Sequence, residues 1–268
     1  MTNAKGDFAI RHEKGRSFYV KKVLKDGYEF TAKQNPIGEY LYSSGDQPFV
    51  PDQEKPVIFR VRKVGNQSFL LQNTCVDINF RTNEICKLTG WDFIRRGQAS
   101  GVKPISAADE YFCDLQAKAT FNTNNAIWTV ILSPGNTNGG VIVSDQLFHE
   151  APETGYQAEY TFTPEDRKPV KAKYVYIKSR EPAIYTRLVI EHINANKEFF
   201  RLSGKAVTNP YGDRNLEQAT DLPYEVTKQL TDEAKTSFRQ NKRPSKHDLP
   251  KMVKEAKEKA DKSKQKLP

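Results

Sequence analysis

The chain has 268 residues, of which 37% are hydrophobic and 11% aromatic, with fifteen Phe and twelve Tyr against two Met. That aromatic supply excludes a wholly disordered chain, and no apolar run approaches the ~20 residues with which a helix crosses a bilayer. The formal net charge is +9, but residues 241–268 hold ten basic and four acidic side chains and so carry +6 of it, which excludes a general affinity of the body for nucleic acid.

The N-terminal Met-Thr-Asn-Ala-Lys-Gly-Asp lacks the charged start, apolar stretch and small-residue cleavage site of a signal peptide. The compartment therefore stays open: cytoplasmic, or extracytoplasmic if an export signal was removed. From about residue 16 to residue 207 the dominant pattern is alternation of apolar and polar residues, the period of a half-buried strand. The first candidates are Phe18–Leu24 and Tyr28–Ala32, with Asp26-Gly27 between them as a hairpin signal. Val57, Phe59 and Val61 alternate with Ile58, Arg60 and Arg62, and Val76, Ile78 and Phe80 alternate with Asp77 and Asn79. Tyr111–Phe121, Ala126–Leu132, Val141–Phe148, Tyr156–Phe162, Val170–Lys178, Ile184–Ile193 and Glu198–Val207 continue the series.

Turn-forming residues separate these runs, above all Ser-Pro-Gly-Asn-Thr-Asn-Gly-Gly at 133–140. Many short strands with such breaks predict an all-β fold, built of antiparallel β-sandwich or jelly-roll-like units. A small, polar stretch at 98–108 marks the expected boundary between an N-terminal β domain over 1–100 and a β-sandwich domain over 105–217. One undivided sandwich of about 210 residues is the alternative.

Residues 218–268 form the expected helical, Lys-rich extension. Val226, Leu230, Ala234 and Phe238 recur at four-residue intervals and define one helical face over Thr220–Gln240. A second helix is expected to begin near Leu249-Pro250, because proline fits a first turn. Its apolar stripe (Met252, Val253, Ala256, Ala260) is thin, so this extension is expected to add little burial and to be loosely attached.

Cys75, Cys86 and Cys113 make an odd count without zinc-site spacing. Cys75 and Cys86 could bridge a hairpin; three reduced, buried thiols are the favoured reading. Trp91 and Trp128 read as core.

The leading candidate surface is an aromatic and basic strip. On strands at 170–178 and 184–193, Tyr174, Tyr176 and Lys178 share one face of the first, and Tyr185 and Arg187 share a face of the next. Flat rings stack on sugars and fixed cations bind carboxylates, so this strip would bind an acidic glycan or other surface polymer. The second candidate is the basic extension, where Lys242, Arg243, Lys246, Lys251 and Lys254 would contact a polyanion, nucleic acid included, or a neighbouring subunit of a homo-oligomer. A structural subunit of a particle or filament is the corresponding alternative function.

An enzyme, a polysaccharide lyase or hydrolase, is a third class. Tyr176-Ile177-Lys178, with Tyr185 seven residues on, is similar to the Tyr-x-Lys-x-Gly-x-Tyr-x-Gln strand of jelly-roll alginate lyases. The spacing departs from that family, the final Gln is missing, and no companion strand occurs, so no catalytic role for Tyr185, Arg187 or His192 is carried over. No cofactor is expected, although the Asn-rich loops at 122–125 and 135–140, with Asp114 and Asp145, offer oxygen ligands for a structural calcium.

Overall fold

Alternating sequences of this kind pair into sheets because each strand must hydrogen-bond its backbone and bury one face. The computed structural model describes residues 19–20, 27–31, 40–41, 60–82, 88–99, 112–162, 173–219 and 222–264. The chain divides into two units, Met1–Gly65 and Asn66–Pro268. In the first, β1 (Tyr19–Val20) pairs antiparallel with β3 (Tyr40–Leu41), and β2 (Tyr28–Thr31) with β4 (Arg60–Lys63). The first arm of the expected hairpin across Asp26-Gly27 lies outside the described residues beyond Val20; among the described residues Tyr28–Thr31 pairs with Arg60–Lys63. The Val64 N–H donates to the Gly27 carbonyl at 2.8 Å and extends that ladder. The strand expectation over 57–59 lies outside the described residues.

The second unit holds two five-stranded antiparallel sheets. One runs in the order β10 (Gly140–Ser144), β12 (Lys173–Ser179), β13 (Ile184–Ala195), β14 (Phe199–Asn209), β5 (Leu71–Arg81). The other runs β11 (Tyr160–Phe162), β9 (Ile127–Pro134), β8 (Leu115–Asn122), β6 (Leu88–Asp92), β7 (Gly97–Ala99). Their inner faces interdigitate: Val76, Ile78 and Phe80, Leu188 and Ile190, and Phe200 and Leu202 from one sheet meet Leu115, Trp128, Val130 and Leu132 from the other. The fold is all-β, two packed antiparallel sheets with a short helical C-terminus. Because β6 pairs with β8 (Leu88↔Lys118 through Trp91↔Leu115), the expected domain boundary at 98–108 falls inside one sheet, and the division lies at residue 65 instead. The expected strand Tyr156–Phe162 is shorter, with only Gln157 bridged to Val141 before β11 begins.

Two bulges keep the alternation in phase with the core. The β13–β14 register shifts between Ile190 and His192, so inward positions pass from Ile190 to Ile193 and Ala195. The β14–β5 register shifts after Gly204↔Val76, so Asn73 and Val76 both face inward and Thr74 and Cys75 are extruded. Cys75 is accordingly exposed, which corrects the expectation of a buried thiol; Cys113 is buried, and Cys86 lies outside the described residues.

The C-terminal extension is part of the core. Pro223 precedes α1 (Tyr224–Arg239), whose Val226, Leu230 and Ala234 are buried against Phe69, Leu71, Ile94 and Ile184 at one end of the sandwich. α2 (Leu249–Lys264) adds Leu249, Met252 and Ala256 to the same cluster. Burial of these residues fastens an extension that its thin apolar stripe marked as loose.

Candidate functional site

The five strip residues lie together on the outer face of the β12–β13 hairpin. Tyr176 stands opposite Arg187, Lys178 opposite Tyr185, and Tyr174 opposite Val189. A roof covers the centre of this face. The 146–158 segment folds back over it and is tied to the 214–216 segment, with the Ala151 N–H donating to Arg214 O at 2.7 Å and Leu216 N–H to His149 O at 2.8 Å. Ala151 and Leu216 bury the Tyr176 ring, which is 0% exposed and lies 5.4 Å from the Phe148 ring. The Tyr176 hydroxyl oxygen accepts the Phe148 N–H at 2.6 Å. Tyr176 is thus sealed, which corrects its expected place in an open sugar platform. Burial holds its phenol above the ordinary tyrosine value. Tyr174, Lys178, Tyr185 and Arg187 stay half-buried at the rim, and Arg187 donates to the Phe148 carbonyl at 3.0 Å.

The basic extension divides into cations with a polar partner and cations without an ion pair among the described residues. Arg243 donates to the Ala183 carbonyl at 3.1 Å, and Lys246 pairs with Asp213. Gly212 adopts φ +77, and a Cβ there would lie 2.4 Å from the Arg243 guanidinium carbon, so only glycine leaves this seat unstrained. His247 meets Glu233 of α1 at 2.7 Å. These contacts hold the 241–248 linker, from which α2 projects. On α2, Lys251, Lys254, Lys257 and Lys262 are exposed and make no ion pair among the described residues.

One cluster that sequence reading missed is a buried ion triad. Asp92 ends β6, Asp114 precedes β8, and Arg180 turns the β12–β13 hairpin with φ +67. The Arg180 guanidinium donates to Asp114 Oδ1 at 2.7 Å and Oδ2 at 2.9 Å, and to Asp92 Oδ1 at 2.8 Å. Both carboxylates are buried, and Ser179 adds a hydroxyl donor to Asp114 at 2.8 Å. Backbone N–H groups of Phe93, Ile94 and Arg95 complete the shell. Phe112 and Phe238 lie 4.7 and 5.0 Å from the guanidinium, so α1 helps cover it. Burial, and then the Asp114 charge, raise the Asp92 carboxyl above its ordinary value, while burial and Asp114 push the neighbouring Cys113 thiol up to about 12. Arg180 stays charged: burial works against it, but the two carboxylates outweigh burial. Nothing short-range in the sequence marks this triad, because its members lie 66 and 88 residues apart.

Asp114 is therefore engaged by Arg180 and Ser179. The loop amides serve turns: Asn122 caps Asn124, Asn125 caps Ile127, and Asn136 and Asn138 reach the Arg180 carbonyl and Glu181. Among the described residues no group of three His, Cys, Asp or Glu side chains is placed to hold a metal ion. No helix among them is long and apolar enough to cross a membrane. Comparison with known proteins finds no matching family model, curated protein or solved structure.

Proposed function

We propose that this is a non-enzymatic binding or assembly protein that grips an anionic polymer through the solvent-facing lysines of α2. The observation that carries this reading is the contrast within the extension. The linker is fastened through Arg243, Lys246 and His247, while Lys251, Lys254, Lys257 and Lys262 extend from that anchorage into solvent without ion pairs among the described residues. Cations on an anchored helix neutralise a polymer's charges with less ordering cost than cations on a free tail, and the attraction is salt-sensitive and sequence-blind.

The test is binding of the full chain to sodium polyuronate and to a single-stranded oligonucleotide, each at low and moderate salt. Reversing Lys251, Lys254, Lys257 and Lys262 to Glu should weaken binding about tenfold or more and flatten its salt dependence. The two polymers tell an acidic glycan from nucleic acid. Unchanged binding by the reversed variant overturns the reading.

A second reading keeps the acidic glycan on the sheet, since Tyr174, Lys178, Tyr185 and Arg187 retain partial exposure on one face. Its mark is loss of polyuronate binding in Tyr174→Ala with Tyr185→Ala while the lysine reversals bind normally.

A further inference from the structure

Beside the seated linker lies a small pocket of about 250 Å³, lined by Asn66, Gln67, Phe69, Tyr211, Asp213 and Asp248 among others. It holds roughly eight waters' worth of space and falls below the range of about 300–1,000 Å³ for sites of drug-sized ligands. We propose that this pocket binds a single neutral sugar ring or a polyol of that size.

The pocket wall is fixed before any ligand arrives. Asp213 Oδ1 accepts the Asn209 amide at 2.5 Å and the Asn215 N–H at 3.0 Å, and the Asn215 amide donates to the Asn66 carbonyl at 2.5 Å. Asp248 accepts the Lys251 N–H at 3.1 Å and so caps α2. These bonds hold the loop and the linker in place, which lowers the ordering cost of binding. What remains unpaired among the described residues suits hydroxyls. The side-chain amides of Asn66 and Gln67 each offer a donor and an acceptor, the Tyr211 hydroxyl offers both, and the second Asp248 oxygen accepts. Half-buried Tyr211 supplies aromatic carbon for the apolar face of a ring.

Charge sets the class of ligand. Lys246, the cation at the wall, is paired with Asp213, and His247 is engaged by Glu233, leaving Asp248, the cap of α2, as the wall charge without a side-chain partner. An anionic sugar would meet net repulsion here, opposite to the expectation for the exterior of α2. This inference stands apart from the anionic-polymer reading and does not depend on it.

The experiment is saturation-transfer NMR and calorimetry on the full chain with glucose, galactose, mannose, N-acetylglucosamine and glucuronate. The expected result is weak, saturable binding of at least one neutral sugar, with glucuronate weaker. Asn66→Ala combined with Gln67→Ala should lower that affinity about tenfold, the equivalent of two hydrogen bonds, with the melting temperature unchanged. Tyr211→Phe, which keeps the ring, should weaken it less and serves as the arbiter if the double variant melts early. Reversal of the α2 lysines should leave sugar binding intact. No saturable binding of any neutral sugar, tighter binding of glucuronate, or full affinity in both amide and tyrosine variants would overturn the proposal.

Discussion

The two C-terminal helices are each sixteen residues long and adjacent in the chain, yet they do different things. α1 buries Val226, Leu230 and Ala234 in the sandwich end and lays Phe238 near the Arg180 guanidinium. α2 tucks only Leu249, Met252 and Ala256 against that cluster and turns most of its lysines to water. Charge is the conspicuous property of α2 alone, while in both helices the apolar stripe decides attachment. A broad stripe makes a helix a wall of the core; a thin one makes it a platform held by its edge.

The sharpest way to break that contrast is at the point where α1 meets the body. Arg180→Ala leaves two buried carboxylates facing each other and removes the cation under Phe238, so denaturant unfolding of the 66–268 unit should show a loss of about 3–5 kcal/mol. A loss under 1 kcal/mol would mean that the triad is better hydrated than its burial implies.

Next in size is a matched pair. Leu230→Ala in α1 should cost about 2–5 kcal/mol, as deletion of a fully buried leucine does, whereas half-buried Met252→Ala in α2 should cost clearly less. Equal losses would erase the distinction between wall and platform.

The smallest effect is a pH dependence. Asp92 is held above its ordinary value in the fold but returns to that value on unfolding, so the folded chain takes up this proton first. Its contribution to stability should rise as pH falls from neutrality through the raised folded value, and level off near the ordinary aspartate value. Asp92→Asn lacks this titration, so the stability of the native chain relative to the variant should grow on acidification. A difference that stays flat or shrinks between pH 7 and 4 would contradict the raised value.

Much of the fold was legible because its cause is local. The alternation at Val76, Ile78 and Phe80 is the inward face of β5, and the four-residue spacing of Val226, Leu230 and Ala234 is the buried face of α1. The start of α2 at Leu249-Pro250 follows from proline's tolerance for a first turn. The shared face of the strip residues within each strand was legible for the same reason, whereas the β12–β13 register brings the two sets onto one sheet face. β6 and β7 were missed, because short strands with Gly90, Gly97 and flanking arginines carry little alternation.

Sequence by itself determined the element types, the inward residues of most strands and the apolar face of each C-terminal helix, since these follow from periods of two and about 3.6 residues. Tertiary structure alone decided that a loop seals Tyr176, that Arg180 meets Asp92 and Asp114 across the sandwich, and that Arg243 and Lys246 find partners while Lys251, Lys254, Lys257 and Lys262 make no ion pair among the described residues. Those outcomes depend on contacts between segments tens of residues apart, and no local spacing encodes which distant segment will arrive.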